Sequence, residues 1–176
     1  TFNPRKGVIM FVNSSFGTKQ TSQNDSKLLM FQNLSNLSIS YYIPVFSYMS
    51  IKLRSLTSMI YSEKIYENEL QQIGGLNTIR GFDELSIPST SSSIFTTELR
   101  YLFEEQSAFF VFYDFAYTEK RFTTDNAHNI LMGIGAGLDL STNAGIFSLV
   151  FAVGKQNDNS FLFNSSKIHF GYRSNF

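Results

Sequence analysis

Cysteine and tryptophan are absent from this chain of 176 residues, and proline occurs only three times. Without cysteine there is neither a disulfide framework nor a thiolate metal site. The only histidines are His128 and His169, and no His/Cys pair has metal-ligand spacing. Metals and other cofactors are therefore not expected. Lys plus Arg and Asp plus Glu number 14 each, for a formal net charge of zero. Nothing in that balance favours a polyanionic partner, so no nucleic acid is expected. No apolar run approaches the roughly 18 residues of a transmembrane helix. A basic-then-apolar leader is missing at Thr1, which suggests a mature chain or an excised piece and leaves the compartment open.

What the chain has in quantity is phenylalanine and tyrosine, 19 and 9 of them. These residues favour strands, whereas helices draw more on Ala, Leu and Glu. Period-two alternation runs nearly throughout. Strands are expected from about Val8 to Thr18, Asn33 to Pro44 and Ser47 to Tyr61. After a long interruption they resume over Ile94 to Phe103, Ala108 to Tyr117, Asn129 to Ser141, Ile146 to Lys155 and Lys167 to Phe176. Thr18 to Ser26 and Glu119 to Asn129 read as polar loops. In the fourth strand Phe95, Leu99 and Tyr101 share one face, while Thr96, Glu98 and Arg100 share the other. In the fifth, Phe109, Val111, Tyr113 and Phe115 oppose Phe110, Phe112, Asp114 and Ala116. Gly133, Gly135 and Gly137 would weaken their strand unless it must curve or approach other backbone.

About eight strands of roughly ten residues, joined alternately by short turns and longer polar loops, is the signature of an antiparallel transmembrane β-barrel. A soluble sandwich shows the same alternation. It gives less reason for aromatics along one face and recurrent charges along the other. On the barrel reading, Leu99 and Phe151 face lipid, and Thr96 and Ser148 face a lumen that should tolerate charge.

The interruption, residues 62–92, is too long for an ordinary connection, and such loops are usually functional or disordered. It carries Ile73-Gly74-Gly75-Leu76-Asn77-Thr78-Ile79-Arg80-Gly81-Phe82. Adjacent glycines permit backbone angles closed to other residues, and one arginine follows between an isoleucine and a Gly-Phe pair. An exposed turn with a solvated arginine is the plain reading. Among amphipathic strands, a barrel interior is the other place for such a charge.

Gly74-Gly75 followed by Ile79-Arg80-Gly81-Phe82 resembles the [VI]-R-G-[FY] loop motif of the BamA/TamA/FhaC superfamily of outer-membrane insertases and translocases. Asn3-Pro4-Arg5-Lys6-Gly7 is similar to the turn opening a mid-barrel strand in that family. Phe112-Tyr113-Asp114-Phe115-Ala116 is similar to its F-x-D-x-G strand motif, with Ala116 where the pattern has glycine. Ile168, Phe170 and Tyr172 before the final Phe176 resemble the C-terminal signal of outer-membrane barrels, with Ser174 breaking the alternation.

The resemblance covers the whole chain, 1–176, and implies the C-terminal half of a barrel of about sixteen strands. It implies a multi-pass location in a bacterial outer membrane, surface-antigen character, and lipid and client polypeptides as partners. Periplasmic POTRA domains and a first half-barrel normally precede this region in the family. A barrel of eight strands has an interior filled by its own side chains, so a longer protein or a second chain completing the wall is expected. The loop arginine, Arg80, is held in the family by acidic groups at positions matched here by Glu98 and Asp114. The alternative partners for Glu98 are Arg100, Lys52 and Arg54, with Arg80 then solvated. In the family the seam between first and last strands can open to template client strands. That assigns the seam to the last strand, with Gly171 permitting a kink. The implied work is inserting proteins into the outer membrane or moving them across it; a two-partner-secretion pore and a passive channel are the alternatives. Neither histidine has neighbours that suggest a triad, and catalysis is not expected.

Overall fold

The alternating segments pair edge to edge, largely in chain order. The computed structural model describes residues 4–23, 26–104, 107–121 and 126–174. Its strands are β1 (Gly7–Gln23), β2 (Ser26–Phe46), β3 (Met49–Ser62), β4 (Gln71–Ile73) and β5 (Ile87–Ser89). They continue as β6 (Ser91–Leu102), β7 (Ala108–Arg121), β8 (Asn126–Thr142), β9 (Gly145–Gln156) and β10 (Lys167–Ser174). Eight of them form one antiparallel sheet in the order β1-β2-β3-β6-β7-β8-β9-β10, while β4 and β5 pair separately. The edges β1 and β10 are not hydrogen-bonded to each other among the described residues, so the sheet is open. No helix there is long and apolar enough to cross a membrane.

Period two sorts the two faces of this sheet. Along β6, Ile94, Thr96, Glu98, Arg100 and Leu102 are buried, whereas Phe95, Leu99 and Tyr101 are 52, 41 and 46 % exposed. Along β7, Phe110, Phe112, Asp114 and Ala116 are buried, and Phe109, Val111, Tyr113 and Tyr117 are exposed. On β9 and β10, Leu149, Phe151, Ile168, Phe170 and Tyr172 continue the exposed apolar face. Val153 departs from that row and is buried. The sheet curls around its covered face. Tyr42, Lys52 and Arg54 at one side and Val150, Gly171 and Arg173 at the other line a single cavity of about 370 Å³.

The strands are longer than the alternation suggested. The expected polar loops at Thr18–Ser26 and Glu119–Asn129 are mostly strand: β1 continues to Gln23 with β2 restarting at Ser26, and β7 reaches Arg121 with β8 restarting at Asn126. Backbone pairing does not need an apolar face, and Thr, Ser and Gln side chains in these hairpin ends give no periodicity to read. The 62–92 connection also differs from expectation. It has a stem of its own, with Gln71 opposite Ser89 and Ile73 opposite Ile87, and a 3-10 turn at Glu67–Glu69. Phe176 and Asn3 lie outside the described residues.

Candidate functional site

The stem β4–β5 carries the tip, residues 74–86, onto the covered face. Gly74 and Gly75 turn the chain at φ of 120° and 93°, values that strain any side-chain-bearing residue. The Gly74 N–H donates to Thr78 Oγ1 at 2.8 Å, and the Gly75 N–H to the Ile79 carbonyl at 2.9 Å. Ile79 is fully buried with Ile73, Ile94, Ala116 and Leu131, and Phe82 packs on the same cluster. The apolar flanks of the motif thus seat the residue between them.

That residue, Arg80, meets both carboxylates. Its Nε donates to Asp114 Oδ2 at 2.8 Å, Nη2 to Asp114 Oδ1 at 2.7 Å, and Nη1 to Glu98 Oε1 at 2.8 Å. The Arg80 backbone N–H adds a bond to Asp114 Oδ2 at 3.2 Å. Its guanidinium carbon lies 3.5 Å from the Phe112 ring centroid, within cation–π range. Side-chain exposures of 6, 3 and 0 % for Arg80, Glu98 and Asp114 make this a buried group. An unpaired charge at that depth costs several kcal/mol, on the order of 3–5 when one partner is removed. Bidentate pairing with Asp114 is the geometry that offsets the desolvation.

The pairings left open for Glu98 turn out not to exclude one another. Glu98 Oε2 also accepts from Arg100 Nη1 at 2.6 Å and from Lys52 Nζ at 3.2 Å, so one carboxylate serves three cations. Arg54 instead donates to the Asn77 carbonyl at 2.9 Å. Three residues not anticipated in this role extend the network. Thr96 Oγ1 donates to Asp114 Oδ1 at 2.8 Å, Arg100 Nη2 to Asp139 Oδ2 at 2.6 Å, and Ser148 Oγ to Asp139 Oδ1 at 2.7 Å. Thr96 and Ser148 are therefore hydrogen-bond donors to carboxylates on the covered face.

Glycines on β8 and β9 leave room for the loop. A Cβ on Gly133 would run into the Arg80 carbonyl, and one on Gly81 would lie 2.5 Å from the Gly154 nitrogen. Cβ atoms on Gly135 and Gly137 would meet the rings of Phe112 and Phe110, the latter ring lying beneath Arg100 at 4.9 Å. The glycines of β8 implied a strand that curves or approaches other backbone, and Gly133 comes against the Arg80 carbonyl.

At the edge of the sheet, Lys19 near the end of β1 ties down the start of the connection. Its Nζ donates to both Glu69 oxygens at 2.8 and 2.6 Å and to the Lys64 carbonyl. Partial burial opposes ionisation of Glu69. The Lys19 hydrogen bond, the Tyr66 N–H and the Lys19 charge outweigh it and hold the carboxyl below its ordinary value.

On β10, Ile168, Phe170 and Tyr172 point to the open face, and Gly171 faces inward beside Leu76, whose Cδ2 occupies the space of an absent Cβ. His169 is buried and accepts the Gly81 N–H at Nε2, 3.2 Å away. Only its inward parity could have flagged it from sequence.

A long antiparallel meander with an apolar open face, and a loop arginine folded back between carboxylates on adjacent strands, defines a class of all-β proteins that refill their own concave face. The family follows from comparison. The family model of the Omp85 superfamily domain matches residues 1–176, and the chain belongs to that superfamily, whose members are associated with the outer membrane. No curated protein sequence matches it significantly.

Proposed function

We propose that this chain is barrel wall in a bacterial outer membrane and that it assists polypeptides to insert into that membrane or cross it. The observation that carries the reading is the buried clamp of Arg80 by Asp114 and Glu98, set beneath a sheet whose other face is apolar. A soluble protein rarely leaves so continuous an apolar face to water. A barrel wall places it against lipid and keeps polar groups inside. The covered face is then the lumen side, and the loop is a plug held by charge. Among the described residues β1 and β10 each leave one edge unpaired, and these edges offer backbone groups to further strands, whether from the same protein, a second chain or a client. Work of this kind needs neither a nucleophile nor a metal, and we propose a non-enzymatic role.

The test is reconstitution. Protein carrying this chain, extracted in detergent and placed in liposomes, should speed the folding of an outer-membrane client barrel, followed by its heat-modifiable gel mobility. Arg80→Ala should slow that by about tenfold while leaving the protein in the membrane. Recovery as a monodisperse species without detergent would overturn the location. Unchanged client folding beside selective ion conductance would transfer the reading to a secretion pore.

A further inference from the structure

Three of the four inward positions of β10 are each met by a different residue of the loop tip, and the fourth, Arg173, lines the cavity. Lys167 Nζ lies 2.7 Å from Asp83 Oδ1. His169 Nε2 accepts the Gly81 N–H in a buried bond. Gly171 receives the Leu76 side chain. These residues alternate along the strand, so the tip follows its inner face in register over positions 167, 169 and 171. Backbone pairing holds β10 on one side only: its eight residues pair with β9, from Lys167 opposite Ala152 to Ser174 opposite Gly145. Among the described residues the other edge carries no strand.

We propose that the loop tip is a clamp that positions β10, with His169 as the positioning residue, so that the Arg80 network and the free edge of the last strand are coupled. Arg80 and Gly81 are adjacent, and the arginine's bonds to Asp114 and Glu98 fix where the Gly81 N–H points. Gly81 has φ of 90° and lies against the backbone of Val153 and Gly154, so it cannot shift toward β9. The imidazole must present a lone pair at Nε2, which places its proton on Nδ1. Arg80, Asp83 and Glu84 of the loop and Lys167 of the strand are the charged groups around it. When Arg80 leaves its carboxylates, Gly81 moves with it, and β10 keeps its ladder to β9 and the Tyr172 hydroxyl bond to the Ala144 carbonyl. Coupling of this kind is reciprocal: a change at His169 must loosen the loop.

Hydrogen exchange on the whole protein in detergent micelles reads both directions. Arg80→Ala should raise exchange of the β10 amides about tenfold and leave those of β2 and β3 unchanged. His169→Leu should raise exchange at residues 76–83 to a similar degree. His169→Gln, whose Oε1 can accept the same N–H, should restore most of the protection. Asp83→Lys and Lys167→Asp should each loosen β10, and the double exchange should recover it; both residues are at the solvent margin, so folding is not at stake. A loop released by Arg80→Ala over an unchanged β10, or a glutamine variant as loose as the leucine one, would overturn the clamp. Its meaning for clients rests on the function proposed above, but the exchange experiment contains no client. An intact clamp with unaltered client folding would refute that function and leave the clamp standing.

Discussion

Glu98 accepts from three cations and Asp114 from one, so the two carboxylates should fail differently. Asp114→Asn leaves Arg80 with one charged partner and a rearranged Thr96. Glu98→Gln leaves Lys52, Arg80 and Arg100 facing one another. Both should cost roughly 3–5 kcal/mol, less whatever lumen water restores. Only the Glu98→Gln loss should shrink when salt is raised, as seen in denaturant midpoints in detergent. Arg80→Lys should recover little, because one ammonium cannot supply the bidentate contact, the bond to Glu98 and the stack on Phe112 together. A cycle of Arg80→Ala with Asp114→Ala should be strongly non-additive, since the same contact is lost once. The residues of this centre were unequally visible in the sequence. Parity along two aromatic strands puts Glu98 and Asp114 on one face, and the glycine frame marks Arg80. Asp139 was hidden because its same-face neighbours, Gly133, Gly135 and Gly137, carry no side chains to show a pattern. His169 was hidden because its partner is a main-chain N–H.

Strand β8 is where an element's weakness has a purpose. Gly133→Ala raises strand propensity yet sets a methyl group against the Arg80 carbonyl. It should expel the loop tip, giving faster proteolysis near Gly81 while the sheet persists. Gly17→Ala, where a Cβ meets nothing within 4 Å, is the matched control and should change neither. At the start of the connection, the sign of the Glu69 shift sets a pH response. A carboxyl whose folded value is depressed contributes stability above its unfolded value and loses it as pH falls through the folded one. Residues 63–69 should therefore loosen below the ordinary carboxylate range, about pH 4, in exchange rates corrected for intrinsic pH dependence. Lys19→Met should abolish the transition. Element limits were the least legible part of the fold. Where polar residues fill both faces, as over Thr18–Gln20 and Glu119–Arg121, the side-chain pattern gives no period to read.

For the whole molecule, the division of faces can be tested with charge. Phe151→Arg on the open face should cost about 2–4 kcal/mol if that face meets the bilayer near its midplane, read from folding into liposomes. Ser38→Arg, on the covered face opposite Leu56, should cost much less. Equal penalties would refute the assignment.

The loop's partners also have an order in time. Counted from the tip, Glu98 is 18 residues ahead of Arg80 and Asp114 is 34, whereas His169 is 88 beyond Gly81. A chain emerging or threading from its N-terminal end meets the first two with β6 and β7, and the last only with β10. Closing short loops costs less entropy than closing long ones. The arginine is thus secured early, and the Gly81 N–H waits exposed until the final strand arrives. That single amide is a timestamp of completion: protected once β10 has docked, and open to exchange in every intermediate that precedes it.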